Sequence, residues 1–283
     1  MDINLIKKKL EAIEKQQQRK KTASVDYEKV FWTPTPGKHQ IRVVPSKFNK
    51  KNPFIEAYFY YGIGPKIMIS PLSFGEEDPI DKFVKKLKST NDRENWQLAR
   101  KIEAKIRVFA PVVIRGEEDK GVRWWQFGKN MYLEFLKMAE DDDIGDFTDV
   151  ADGRDFTVDT VGPETTGTQY NKSSLRPKTK TTPLSADSKM VENFLKEQPD
   201  PLIGYIKYSA EEMKDNLQKW LEPDEQEESD DNLNNQEVEE TPQKEVKVHN
   251  KPKFKPKKGA LEEFEEIFSK KETSDDYDDD LPF

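Results

Sequence analysis

The sequence contains no cysteine and only two histidines, His39 and His249, in 283 residues. Without thiols there is no disulfide, no cysteine-held zinc, no iron–sulfur centre and no thiol nucleophile. The two imidazoles stand too far apart in sequence to suggest a paired acid–base or metal motif. Apolar residues make up 34% of the chain, and its 13 glycines raise that only to about 39%, against roughly 45–50% for globular proteins. No stretch approaches the ~18 uncharged apolar residues of a membrane span, and the first residues lack the apolar run of a signal peptide. Glycine-rich phosphate loops, Gly-x-Ser-x-Gly and paired-histidine motifs are missing as well. These absences lead us to expect an intracellular, cytoplasmic, non-enzymatic protein with no membrane partner.

Charge is what the chain has in quantity, at 36% of residues, and it is segregated. Residues 1–24 carry seven bases and three acids. Residues 38–129 carry 19 bases against 11 acids, whereas 130–152 carry one base and eight acids. Residues 223–283 carry nine bases and 20 acids. The formal net charge of −8 therefore averages a basic arm, a basic central region and an acidic tail, which serve different partners.

Periodicity divides the chain at the same places. Ile3, Leu5, Ile6, Leu10 and Ile13 fall near one helical stripe ahead of the basic cluster around Arg19. Strands are expected at Gln40–Pro45, Phe54–Tyr61 and Lys66–Ser70. A long one is expected at Glu103–Arg115, with Ile106, Val108, Ala110 and Val112 on one face and Lys105, Arg107, Phe109 and Val113 on the other. Val122–Phe127 reads as its hairpin partner and Gly153–Val161 as a further strand. The Gly/Thr/Lys-rich stretch to Thr182 reads as a mobile loop, and from Thr165 to Ser185 there are four bases, Lys172, Arg176, Lys178 and Lys180, and no acid. Helices are expected from Asp78-Pro79 to about Lys88, at Asn130–Glu140, at Asp187–Gln198 and at Ser209–Leu221, the last opening on a Ser209/Glu212 cap. The sum is a mainly β chain with added helices (α+β), in which short aromatic strands suggest a small Greek-key barrel. Three regions follow: a basic arm or helix at 1–24, a folded core at 25–222 and a disordered acidic tail at 223–283.

Within the core, cations and rings alternate. Arg42, Lys47, Lys66, Arg100, Lys101, Lys105, Arg107, Arg123 and Lys129 lie among Tyr58, Phe59, Tyr60, Tyr61, Trp96, Phe109, Trp124, Trp125 and Phe127. An unpaired nucleic acid strand needs this pair of features: cations for its phosphates and flat faces for its bases, worth roughly 1–3 kcal/mol per stacked base. Adjacent strand residues point to opposite faces, so Tyr58 to Tyr61 cannot all enter one core, nor can Trp124 and Trp125 enter it together. An ordinary aromatic core beneath a solvated charged face would produce the same composition. The tail ends on Asp278-Asp279-Asp280-Leu281-Pro282-Phe283, where a ring and a terminal carboxylate follow an acidic run suited to a basic partner pocket. Upstream, Leu261, Phe264, Ile267 and Phe268 recur at helical spacing among glutamates, as a helix that docks in a partner's groove would.

Four stretches resemble the replicative single-stranded DNA-binding (helix-destabilising) proteins of T-even-type tailed phages. They are Ile41-Arg42-Val43-Val44-Pro45-Ser46-Lys47 with Pro53-Phe54, Trp96 through Arg107, Phe127-Gly128-Lys129, and Arg19 to Ser24. The resemblance implies an OB-fold-like five-stranded barrel that coats single-stranded DNA in replication, recombination and repair. It implies phosphate contacts from Arg42, Lys47, Lys66, Arg100, Lys101, Lys105, Arg107, Arg123 and Lys129. Base stacking would involve some of Tyr58, Tyr60, Trp96, Phe109, Trp124 and Trp125. Arg19, Lys20, Lys21, Thr22 and Ser24 would serve cooperative self-association along DNA. The closing tip resembles the partner-binding tip of bacterial single-stranded DNA-binding proteins, which implies recruitment of replication and repair enzymes through Asp278 to Phe283. The phage family commonly holds a structural zinc where this chain has Asp78-Pro79-Ile80-Asp81, so no zinc or other cofactor is expected here. Instead Phe83, Val84 and Leu87 are expected to hold that region by apolar packing. A protein-recruiting adaptor with an acidic tail and an RNA-binding OB-type module are the alternatives.

Overall fold

The computed structural model describes residues 26–222 together with Phe264, Ile267 and Phe268. They fall into two compact units. The first comprises the described residues up to Phe59, Met68–Glu76 and Ala104–Lys207; the second comprises Tyr60–Ile67, Glu77–Glu103 and the described residues from Tyr208 onward.

The first unit is built on an open eight-stranded sheet, made of β1 (Phe31–Trp32), β2 (Gly37–Val43), β3 (Ile55–Tyr60, whose last residue belongs to the second unit), β4 (Met68–Ile69), β5 (Lys105–Ile114), β6 (Arg123–Phe127), β7 (Arg154–Val161) and β8 (Lys172–Thr181). The main path runs β1-β6-β5-β2-β7-β8, with β3 paired to β5 and β4 paired to β3. The ten-residue β5 is central. Its first half pairs antiparallel with β3 (Ala57 opposite Arg107) and its last residues with β2 (Val43 opposite Val112). Strand β6 returns along the other edge as a hairpin (Ala110 opposite Trp125).

Alternation along β5 fills both faces of the sheet. Val108, Ala110, Val112 and Ile114 enter one core with Trp125, Phe127, Phe135 and Phe156, and the partly buried Ile106 packs against it. Phe109 joins Ala57, Phe59 and Trp124 in a second core, and Val113 joins Val44, Val122 and Phe194 in a third. The two-faced pattern expected from the sequence is the one found. It also answers the adjacency of Trp124 and Trp125: they point to opposite faces, and each face has a core to receive its ring.

Helices of this unit are α1 (Tyr27–Val30), α4 (Lys129–Glu140), α5 (Pro163–Thr166) and α6 (Ser188–Lys196). Those of the second unit are α2 (Pro79–Ser89), α3 (Arg93–Ile102) and α7 (Ala210–Leu221). Helix α2 starts on Asp78, whose carboxylate accepts the N–H groups of Ile80 and Asp81 at 2.8 and 3.1 Å, with Pro79 in the first turn where its missing N–H costs nothing. Its Phe83, Val84 and Leu87 are buried, as expected. Helix α7 carries the full Ser209/Glu212 capping box read from the sequence. No helix among the described residues is long and apolar enough to cross a membrane.

Two local expectations are corrected. The stretch Lys172–Thr181 is not a loop but the edge strand β8. Its Pro177 is tolerated because an edge strand leaves one row of N–H groups unpaired. The Trp96–Arg107 stretch resembles a basic and aromatic strand of the phage family, but its Trp96–Lys101 part lies on the helix α3, which Asp92 caps through the Glu94 N–H.

Candidate nucleic-acid interface

Six of the residues expected to touch nucleic acid are buried, each with a physical reason. Arg42 sits on β2 with no exposed surface. Its guanidinium donates to Asp155 Oδ1 at 3.0 Å, to Thr182 Oγ1 at 3.3 Å, to the Asp149 carbonyl at 3.3 Å and to the Thr182 carbonyl. Asp155 also accepts from Gln40 (2.7 Å) and from two nitrogens of Arg115 (3.0 and 2.9 Å). Burial pushes the Arg42 guanidinium below its ordinary value, while Asp155 pulls it up. For Asp155 burial acts upward. The hydrogen bonds from Arg115 and Gln40 and the charges of Arg115 and Arg42 outweigh it and hold the carboxyl below its ordinary value. Arg42 is thus a structural cation and not a phosphate contact.

Arg123, at 6% exposure, donates to Glu117 Oε2 at 2.5 Å. Trp124 is fully buried and its indole N–H donates to the Pro199 carbonyl at 2.8 Å, while Trp125 packs edge-on against Trp32 and Phe127. Phe109 lies inside the second core. Tyr60 is buried in the second unit, with its hydroxyl donating to Asp78 at 2.9 Å. None of these four rings presents a face to a base. The Asp78-Pro79-Ile80-Asp81 stretch does not fit a zinc site either. Asp78 is engaged by helix N–H groups and by Tyr60, and Asp81 forms an ion pair with Lys85 at 2.7 Å.

The other expected contacts reach the surface. In the first unit, pairing places Lys105 opposite Phe59 and Arg107 opposite Ala57, at one end of the sheet. Gly128 lies beside Arg107: a Cβ there would be in ordinary contact, at 3.7 Å, with an Arg107 guanidinium nitrogen. Lys129 follows, exposed, at the start of α4, and the half-buried Tyr58 is opposite Ile106. Lys47 is exposed and its ammonium lies 4.8 Å over the ring of Phe48. In the second unit Lys66, Arg100 and Lys101 are exposed, and the Arg100 guanidinium lies 4.9 Å over Trp96. Of the five tryptophans, all among the described residues, Trp96 alone is exposed, at 46%.

Some surface features escaped the list of expected contacts. Phe48 is an exposed ring 6.1 Å from the buried Trp124 beneath it, and Phe74 is an exposed ring under the Lys207 ammonium at 4.8 Å. Along β8, Lys172, Arg176, Lys178 and Lys180 are exposed and Leu175 is buried. Register shifts between Phe156–Pro177 and Arg154–Thr181, so that 178–180 bulge opposite Asp155. Arg154 holds the bulge by donating to the carbonyls of Lys178 (3.3 Å) and Thr179 (2.5 Å). Acids are few on this edge: Asp159 lies 3.6 Å from Arg176 and 4.0 Å from Lys38. The sequence shows these four cations as a basic loop that could close over bound DNA; the structure keeps the cations exposed but sets them on an edge strand.

The arm residues Arg19, Lys20, Lys21, Thr22 and Ser24, and the tip Asp278 to Phe283, lie outside the described residues. No protein-family model matches the sequence, and no curated protein matches it.

Proposed function

We propose that this chain coats single-stranded DNA without sequence preference, as a non-enzymatic protein of replication, recombination and repair in the cytoplasm of a phage-infected bacterium. The observation that carries this reading is the pairing of exposed rings with cations: Trp96 with Arg100, Phe48 with Lys47 and Phe74 with Lys207, at 4.8–4.9 Å. A ring of this kind offers a face to an unpaired base while the adjacent cation meets its phosphate. Duplex DNA hides its base faces, so discrimination against duplex follows from stacking. The cation rows on β8 and at the Lys105/Arg107/Lys129 end supply the sequence-independent attraction.

The sheet is read as an OB-type barrel. The support is β5, which pairs with β3 and then β2 along one edge while β6 takes the other. The basic arm is assigned to self-association along DNA and the acidic tip to recruitment of replication and repair enzymes. No metal or cofactor takes part.

The test is a salt titration of labelled oligo-dT binding by anisotropy, with duplex DNA and oligo-U as controls. The reading predicts tight oligo-dT binding that weakens steeply with salt, and far weaker duplex binding. Equal affinity for oligo-dT and duplex would overturn the stacking account, and preference for oligo-U would favour the RNA-binding alternative. Removing 223–283 takes away a net charge of −11 and is expected to raise DNA affinity, mostly at low salt. Equal affinities of full and shortened chains would contradict a competing tail.

A further inference from the structure

One amphipathic stretch of the sequence plays no part in the DNA reading, and the structure gives it a place. Phe264, Ile267 and Phe268 have helical backbone and belong to the same unit as α2 and α7. The Phe264 ring meets Phe83 of α2 edge-on at 5.8 Å between centroids and is only 7% exposed. Phe268 lies 4.7 Å from Phe264, and the Lys214 ammonium of α7 sits 4.8 Å over its ring. Phe83 itself is fully buried on the apolar face of α2, beside Ile80 and Leu87. The residue that closes over this face therefore comes from about 40 positions beyond the end of α7, a separation over which the entropy of closure grows only slowly.

A short isolated helix does not hold itself in water, so the helical backbone at these three residues depends on the surface beneath it. The sequence fits that surface in two ways. Phe264 and Phe268 stand at i and i+4, the spacing of helix-in-groove anchors. The segment is net acidic, with Glu262, Glu263, Glu265 and Glu266, whereas α2 is net basic, with four lysines against Asp81, although Lys82, Lys85 and Lys88 already pair with Glu77, Asp81 and Glu103.

We propose that the apolar face of α2 and α7 is a docking groove for a short acid-flanked helix with phenylalanines four apart, and that residues 261–268 are its resident, reversible ligand. Docking shortens the tether of the C-terminal tip: Asp275 follows Phe268 by seven residues, at most about 25 Å of extended chain, and follows Leu221 by 54, at most about 190 Å. An intramolecular ligand occupies its groove at a high effective concentration and a competing helix must displace it. The proposal stands apart from DNA binding and fails or survives independently of it.

The test uses the full-length chain and a labelled peptide of residues 259–272, followed by anisotropy. The Phe264→Asp/Phe268→Asp chain should bind the peptide saturably, and the unaltered chain at least ten-fold more weakly, because its own segment competes. No saturable binding to the variant, or equal binding to both chains, would overturn the proposal. A second measurement exploits the absence of cysteine. A Lys214→Cys/Phe268→Cys chain treated with a short bis-maleimide should give a single chain closed by one linker between the two positions, seen by intact mass and peptide mapping. Linker-bridged dimers alone, or chains modified only singly, would overturn docking within the chain.

Discussion

Asp155 is the residue on which the back of the sheet depends. It is buried, and it accepts hydrogen bonds from Gln40, Arg42 and Arg115. Replacing it with Asn leaves the fully buried Arg42 guanidinium facing no carboxylate and leaves Arg115 only Glu118, at 4.0 Å. The expected loss is about 3–5 kcal/mol in urea unfolding. The same pair predicts a pH dependence. The folded carboxyl is held below its ordinary value, so the unfolded chain takes up the proton first as pH falls. The stabilisation is complete above the unfolded value of about 3.9 and is lost as pH falls from there through the folded value. The gap in stability between the unaltered chain and Asp155→Asn should therefore be constant near neutrality and narrow in acid. Gly153 belongs to the same neighbourhood. A Cβ there would lie 2.6 Å from the Phe147 carbonyl, closer still to the Asp149 carbonyl, and 3.0 Å from an Arg42 nitrogen. Gly153→Ala is expected to cost about 1–3 kcal/mol in thermal or urea unfolding, with the backbone carbonyls unable to retreat as a flexible side chain would.

At the scale of elements, β8 is where charge reaches solvent in a row. Replacing Arg176 and Lys178 with Ser should reduce the slope of log affinity for oligo-dT against log salt by about 1.4, if each neutralises one phosphate. An unchanged slope would remove β8 from the interface. The Ser209 cap offers an independent check on the second unit. Ser209→Ala should cost about 1 kcal/mol of stability by leaving the Glu212 N–H without its acceptor. Elements governed by strict periodicity were legible beforehand: β5 by its alternation, α7 by its capping box, α2 by Asp-Pro. Lys172–Thr181 was not, because its strand character comes from pairing with β7, and pairing leaves no mark on a composition of Thr, Lys and Pro. The buried site candidates failed for a related reason. Arg42 alternates like a surface residue, but Asp155, some 110 positions away, is what brings it inside. Trp124 and Trp125 point to opposite faces, as alternation requires, but neither face is open to a base. Residues of the 199–207 segment, such as Leu202 and Tyr205, pack against the Trp124 face and close it.

For the molecule as a whole, each of the two units carries its own cations and its own exposed ring, and the central claim is that unpaired bases stack on such rings. Trp96 makes that claim measurable, since Trp32, Trp124 and Trp125 are buried, Trp220 is half-buried, and Trp96 is 46% exposed with Arg100 at its face. The decisive experiment is quenching of tryptophan emission by poly-dT at low salt, on the unaltered chain and on Trp96→Phe. The account predicts strong, salt-reversible quenching of the unaltered chain and the loss of most of it in Trp96→Phe, in which Trp32, Trp124 and Trp125 are buried and Trp220 is half-buried. The phenyl ring should still bind poly-dT within a few-fold of the original affinity. No quenching of the unaltered chain, or quenching that survives intact in Trp96→Phe, would contradict it.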